Sequence, residues 1–151
     1  MPTMTRNNWR SRGLLLGVAA ALVAILMGCG TSDRTNAQEE RFVGIGKPKL
    51  SSSGLYTASV KFGPEENSVK TWIAVINDTS GTEVFRDDYA YSPRHRLTIT
   101  WLSGHDQLWI LSSDVGTSHI DRQPDGTWKK IDITPETLGE VPAEINQYRH
   151  R

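Results

Sequence analysis

The residues best equipped for chemistry fall in one stretch: His105, Asp106, Asp114, His119 and Asp121. Imidazole and carboxylate groups at close spacing suit a metal site or an acid–base pair, if the fold brings them together. The local pattern separates them. Asp114-Val115-Gly116 suits a three-residue hairpin loop with Gly116 in the left-handed position. That loop sets Ser113 opposite Thr117 and Ile110 opposite Ile120. Leu108, Ile110 and Ile120 then share one face, and Trp109, Leu111, His119 and Asp121 share the other. His105, Asp106 and Asp114 are left in turns at opposite ends of the hairpin. Only His119 and Asp121 share a strand face, without a third group to orient them, so neither a catalytic residue nor a metal site is assigned.

The next turn, Pro124-Asp125-Gly126, also suits three residues, which would set Ile120 opposite Lys130. A four-residue loop instead sets Ile120 opposite Ile131 and Asp121 opposite Lys130. The apolar pattern favours the second register, because a slip of one residue exposes a whole face. It also leaves Trp128 exposed beside Lys130. Four tryptophans, Trp72, Trp101, Trp109 and Trp128, sit in a small body, as core filling or as a ligand surface. Trp128, Trp109 and His119 are the candidate binding surface.

Other signals are local. No G-x-S-x-G, H-E-x-x-H or cysteine pair occurs. Gly44-Ile45-Gly46 lacks the third glycine of a nucleotide loop, and Asn77-Asp78-Thr79 reads as a turn. Arg94-His95-Arg96 and the ending Tyr148-Arg149-His150-Arg151 are short basic patches able to meet anionic groups. No cofactor is implied.

The elements that must position these residues are strands. Tyr56, Ala58, Val60 and Phe62 alternate with polar neighbours, as do Leu97, Ile99 and Trp101, so each run is a half-buried strand. Lys70 to Asn77 and Gln107 to Ser112 are apolar on both faces, as sheet centres are. Thr117 to Arg122 and Trp128 to Ile133 follow. Turn clusters fall at Ser51–Gly54, Gly63–Asn67, Asp78–Gly81, Ser103–Asp106, Asp114–Gly116 and Pro124–Gly126. The fold class is all-β, an antiparallel meander of about seven to eight strands. A small sandwich, an open barrel and blade-like sheets all fit it. Thr134-Pro135-Glu136 opens a short helical turn that Gly139 and Pro142 confine.

The amino end has a different composition. The chain has 151 residues, room for one domain, and one cysteine, Cys29. Arg6, Arg10 and Arg12 are the only charged residues before it. Removing those three from 17 Lys and Arg leaves 14 against 17 Asp and Glu, a net of −3 for the rest. A mildly acidic body argues against a nucleic-acid partner. Gly13 to Leu26 is uncharged and apolar but shorter than the roughly 20 residues of a membrane span. The order of basic, apolar and small residues is that of a secretory signal.

Leu26-Met27-Gly28-Cys29 resembles the lipobox of bacterial lipoprotein precursors, with Met27 a less usual second residue. The resemblance covers residues 1–29. It implies cleavage between Gly28 and Cys29, a thioether-linked diacylglycerol on Cys29, and an extracytoplasmic, lipid-anchored location. In an organism with an outer membrane, Gly30 would permit transfer to it. Residues 1–28 are then a signal peptide and 29–41 a polar tether. Residues 42–147 form a single β domain and 148–151 a tail.

Leu50-Ser51 and Leu102-Ser103 each precede a turn and a strand, 52 residues apart. These stretches resemble the blade openings of WD-type propeller repeats, whose period is about 40–50 residues. The chain is too short to close a ring, so the resemblance implies only meandering antiparallel strands. The expected function is a lipid-anchored, non-catalytic binding or assembly module that engages an envelope protein, a glycan or a small ligand. The alternatives are an envelope hydrolase using His119 and Asp121, and an inhibitor or immunity-type lipoprotein.

Overall fold

The computed structural model describes residues 40–149. Cys29, the Gly28–Cys29 cleavage position, the signal segment and all of the tether before Glu40 lie outside the described residues, as do His150 and Arg151. Among the described residues, no helix is long and apolar enough to cross a membrane.

The fold is all-β. Eight strands run in order: β1 (Lys49–Leu50), β2 (Tyr56–Glu66), β3 (Val69–Asp78), β4 (Glu83–Arg86), β5 (Leu97–Trp101), β6 (Gln107–Ser112), β7 (Gly116–Arg122) and β8 (Trp128–Asp132). They make two four-stranded antiparallel sheets, β1-β2-β3-β4 and β5-β6-β7-β8, and neither closes into a barrel. Each sheet is a meander in chain order. The two Leu-Ser stretches fall on equivalent places, the first hairpin of each sheet.

The two strands apolar on both faces are interior, as the pattern requires. Ala74, Val75 and Ile76 of β3 are buried, and so are Leu108 to Leu111 of β6. Ala58, Val60, Ala74 and Ile76 from the first sheet meet Ile99, Trp101, Leu108, Ile110 and Ile120 from the second in one core. A smaller cluster lies on the outer face of the second sheet, where Trp109 and Leu111 pack against Ile145 and Tyr148. A buried indole or phenol removes about 150–250 Å² from water, roughly 4–6 kcal/mol of gross hydrophobic gain at about 25 cal/mol per Å². This outer layer therefore carries real weight.

Several expectations are corrected. β1 and β4 are short edge strands for which no sequence run was assigned. The Gly63–Asn67 turn is instead strand: β2 continues to Glu66 through an irregularity between Phe62 and Glu65. Pro64 sits there, where a ladder donor is not needed. A Cβ on Gly63 would lie 2.7 Å from Thr71 Oγ1, so the close approach requires glycine. The reversal falls on Asn67 and Ser68, with φ of 48° and 63°, the pair of positive values a two-residue type I′ turn uses.

Pro142 is where the helix starts, not where it stops. Leu138–Glu140 is a 3-10 turn that runs through Gly139, and the helix α1 spans Ala143–Asn146 with Pro142 as its N-cap. A first-turn proline loses no intrahelical bond. The domain boundaries also shift. Tyr148, assigned to the tail, is 3 % exposed and belongs to the outer cluster. Arg41, assigned to the tether, donates to Tyr148 Oη (3.3 Å), Thr100 Oγ1 (3.3 Å) and the Trp101 carbonyl (3.1 Å). It also lies 3.9 Å from Glu144, so it clasps α1 to β5.

Candidate functional site

Hairpin registers decide where the chemistry-bearing side chains go. In the β6–β7 hairpin, Ser112 pairs with Gly116, Ile110 with Ser118 and Leu108 with Ile120. The expected opposition of Ser113 with Thr117 is therefore two residues off. The loop is Ser113-Asp114-Val115, because Ser112 Oγ accepts from the amides of Asp114 (3.3 Å) and Val115 (3.2 Å) and draws the turn in. A shift of two preserves the faces, so Trp109, His119 and Asp121 do share one.

The second register is corrected in the opposite sense. Ile120 pairs with Lys130, Asp121 with Lys129 and Arg122 with Trp128. The three-residue turn prevails over the apolar pattern. Gln123 and Thr127 close it, with Gly126 at φ 88° and Asp125 Oδ1 accepting from the Thr127 amide at 2.9 Å. Trp128 and Lys130 consequently point to the inter-sheet side. Trp128 is not the exposed anchor the other register implied. It is half-buried, with its ring 4.9 Å from Tyr56 and 6.4 Å from Trp101. Trp109 is 2 % exposed. The three residues of the candidate binding surface thus do not form one surface: Trp128 lies on one face of the sheet, Trp109 and His119 on the other.

His119 and Asp121 form a compact network. His119 Nδ1 lies 2.9 Å from Asp121 Oδ2, and there the imidazole must donate, since a carboxylate only accepts. Gln107 Nε2 donates to Asp121 Oδ1 (2.7 Å), and Gln107 Oε1 accepts from Trp109 Nε1 (2.7 Å). The imidazole stacks on Trp109 with centroids 4.8 Å apart. These contacts satisfy the Trp109 indole N–H and both oxygens of Asp121. The other members of the stretch are elsewhere. Asp114 faces His95 at 4.0 Å. Asp106 accepts from Ser52 Oγ and from both the amide and hydroxyl of Ser53, tying the first hairpins of the two sheets together. Burial alone would raise its pKa, but the hydrogen bonds from Ser53, Ser51 and Ser52 together outweigh that and hold it below the ordinary value. Among the described residues, no three His, Cys, Asp or Glu side chains are grouped to hold a metal ion.

A third cluster was missed in the sequence. After β4 the chain re-pairs with β3: the Asp87 amide donates to the Ala74 carbonyl, and Trp72 and Tyr91 exchange two backbone bonds. This carries Asp87 and Tyr91 inward to Lys130. Lys130 Nζ lies 3.0 Å from Asp87 Oδ1 and 2.6 Å from Tyr91 Oη, and Tyr91 Oη donates to Asp87 Oδ2 at 2.8 Å. The Asp87 side chain has no exposure and Lys130 has 19 %. Burial, then the Asp87 charge, pushes the Tyr91 phenol far up. The available signal was Lys130 on the apolar side of a three-residue turn. A lysine there demands a buried acid, but nothing in the sequence says which.

The outer face of the second sheet also carries a groove of about 380 Å³ beside the C-terminal segment. Thr98, Leu111 and Thr117, a cross-strand row, line its sheet side, and Leu138 and Arg149 lie across from them. These features define the chain by architecture, two four-stranded meanders sharing one core. No family model, curated protein or solved structure matches it.

Proposed function

We propose that this chain is a lipid-anchored protein of a bacterial envelope, and that its β body is a non-catalytic binding or assembly module on the extracytoplasmic side. The observation that carries the reading is Leu26-Met27-Gly28-Cys29 at the end of a short apolar run, directly before a polar stretch and a β domain. One acyl chain holds a protein to a membrane only marginally, whereas two or more hold it firmly. The use of His119, Asp121 and Gln107 on one another and on Trp109 supports a packing role for them. The partner classes are an envelope protein, a glycan or a small ligand.

The test has two parts. The intact mass of the native protein, purified from its host, should carry a diacylglycerol adduct on a chain beginning at Cys29. Cys29→Ala should give an unlipidated precursor that no longer partitions with detergent. An adduct-free native mass would sink the anchor. Proximity cross-linking in the host should then recover the same partner with the native chain and with His119→Ala and Asp121→Asn.

A second reading, an envelope hydrolase, draws on the 2.9 Å contact between His119 and Asp121, a carboxylate orienting an imidazole. It requires that either substitution abolish activity in a folded protein.

A further inference from the structure

The groove against the C-terminal segment joins two features that are far apart in the chain. Arg96 belongs to the basic patch 94–96 and Arg149 to the basic ending, yet both border the same groove of about 380 Å³. Cavities of about 300–1,000 Å³ take small-molecule ligands. On the sheet side Ile133 contributes apolar surface, with a small part of the otherwise buried Leu111, and Leu138 adds more, itself 42 % exposed.

The charge of the site is one-sided. Among the described residues, no Asp or Glu lines the groove. Asp114, Asp132 and Glu136 are neighbours in sequence of lining residues, but Asp114 faces His95, Asp132 pairs with Ser118 and lies on the opposite strand face from Ile133, and Glu136 is engaged by Thr134. Arg149 Nη1 donates to Asn146 Oδ1 at 3.2 Å, a neutral partner. The Arg96 backbone amide is bonded to Ser113 Oγ, while its guanidinium has no partner among the described residues. Two guanidinium groups without a counter-charge, beside an apolar pocket, match an acid group joined to an apolar body. Guanidinium recognises carboxylates through paired N–H donors, which gives geometric as well as electrostatic selectivity.

We propose that this groove binds a small amphipathic organic acid, with its apolar body on Leu111, Ile133 and Leu138 and its carboxylate between Arg96 and Arg149. This deepens the binding-module reading and rests on it. Inorganic phosphate would satisfy the arginines but leave Leu138 and its neighbours wet. A neutral apolar ligand would leave the arginines uncompensated.

The test is photo-labelling of the full chain in uncharged detergent with p-benzoylbenzoate, against the neutral 4-(hydroxymethyl)benzophenone. The acid should label the 133–149 segment saturably, and the neutral probe should need at least tenfold more for half-maximal labelling. The Arg96→Gln/Arg149→Gln variant should raise the half-maximal concentration of the acid tenfold or more, with an unchanged unfolding midpoint. Equal labelling by the two probes on the unaltered chain would overturn the proposal, whether or not the double variant folds. So would labelling indifferent to both substitutions. Suppression by phosphatidylglycerol vesicles but not by phosphatidylcholine vesicles would also overturn it, by giving the groove to a lipid headgroup. The anchor and the partner are read by mass and by cross-linking, so failure here is distinguishable from failure of the envelope reading.

Discussion

Replacing Asp87 with Asn tests the inter-sheet latch and, through it, the register of β8. The substitution keeps one oxygen, which can still accept from the Tyr89 amide, but it turns the oxygen that accepts from Tyr91 Oη into a donor and removes the charge opposing Lys130 at 3.0 Å. Removing one partner of a buried ion pair typically costs about 3–5 kcal/mol. Lys130 retains 19 % exposure and its contact with Tyr91 Oη, so the low end applies, about 3 kcal/mol. Domains of this size have about 5–15 kcal/mol in total, so the loss is a large share. With a urea slope of about 1–3 kcal/mol/M, the midpoint should fall by about 1–3 M. Lys130→Met added to Asp87→Asn should recover about 2 kcal/mol, since no charge then remains buried. Unfolding of the four chains, followed by tryptophan fluorescence, closes the cycle. If Asp87→Asn costs less than about 1 kcal/mol, or if Lys130→Met has the same effect in both backgrounds, Lys130 does not face the core. The pairing of Ile120 with Lys130 would then be wrong.

Arg41→Ala should lower stability by about 1–3 kcal/mol through loss of charge-assisted bonds. It should speed amide exchange at Ile145–Tyr148 more than in β6, and uniform acceleration would contradict the clasp. Ser68→Gly should stabilise by up to about 1 kcal/mol, because the left-handed conformation at φ 63° is strained for serine, and a lower urea midpoint would refute the type I′ assignment. Glu83 is held down to about 2 by Arg86 first and then by Lys61. A carboxyl depressed from its ordinary 4.5 contributes stability above that value and loses it as pH falls toward about 2. The pair is exposed and screened, so Glu83→Gln should cost under about 1 kcal/mol at pH 7, and the difference should vanish near pH 2. A difference that persisted at pH 2 would show that its origin is not the charge.

The strands themselves were legible. Period-two alternation located β2 and β5, and runs apolar on both faces marked β3 and β6 as interior, because burial leaves that imprint wherever a strand has one or two covered faces. Edge strands β1 and β4 were not legible, since a two-residue or four-residue strand with a solvated edge has no such pattern to show. The faces of β6 and β7 were read correctly despite a register two residues off, because side chains alternate with period two. The β8 register was misread for the same reason in reverse: a shift of one exchanges the faces, and the charge of Lys130 concealed that it points inward.

Sequence alone determined the all-β class, the two interior strands, the shared face of His119 and Asp121, and the lipobox resemblance on which the proposed address rests. These depend on local pattern, which the chain carries wherever it folds. Only the tertiary structure decided that Asp87 meets Lys130 and that Arg41 clasps Tyr148. It alone brought Arg96 and Arg149 to one groove. Each of those pairs joins groups more than 40 residues apart, 43 for the first and 107 for the second, and no periodicity encodes such a partner. It is chosen by which element is free to close over a charge that cannot be left alone in the core.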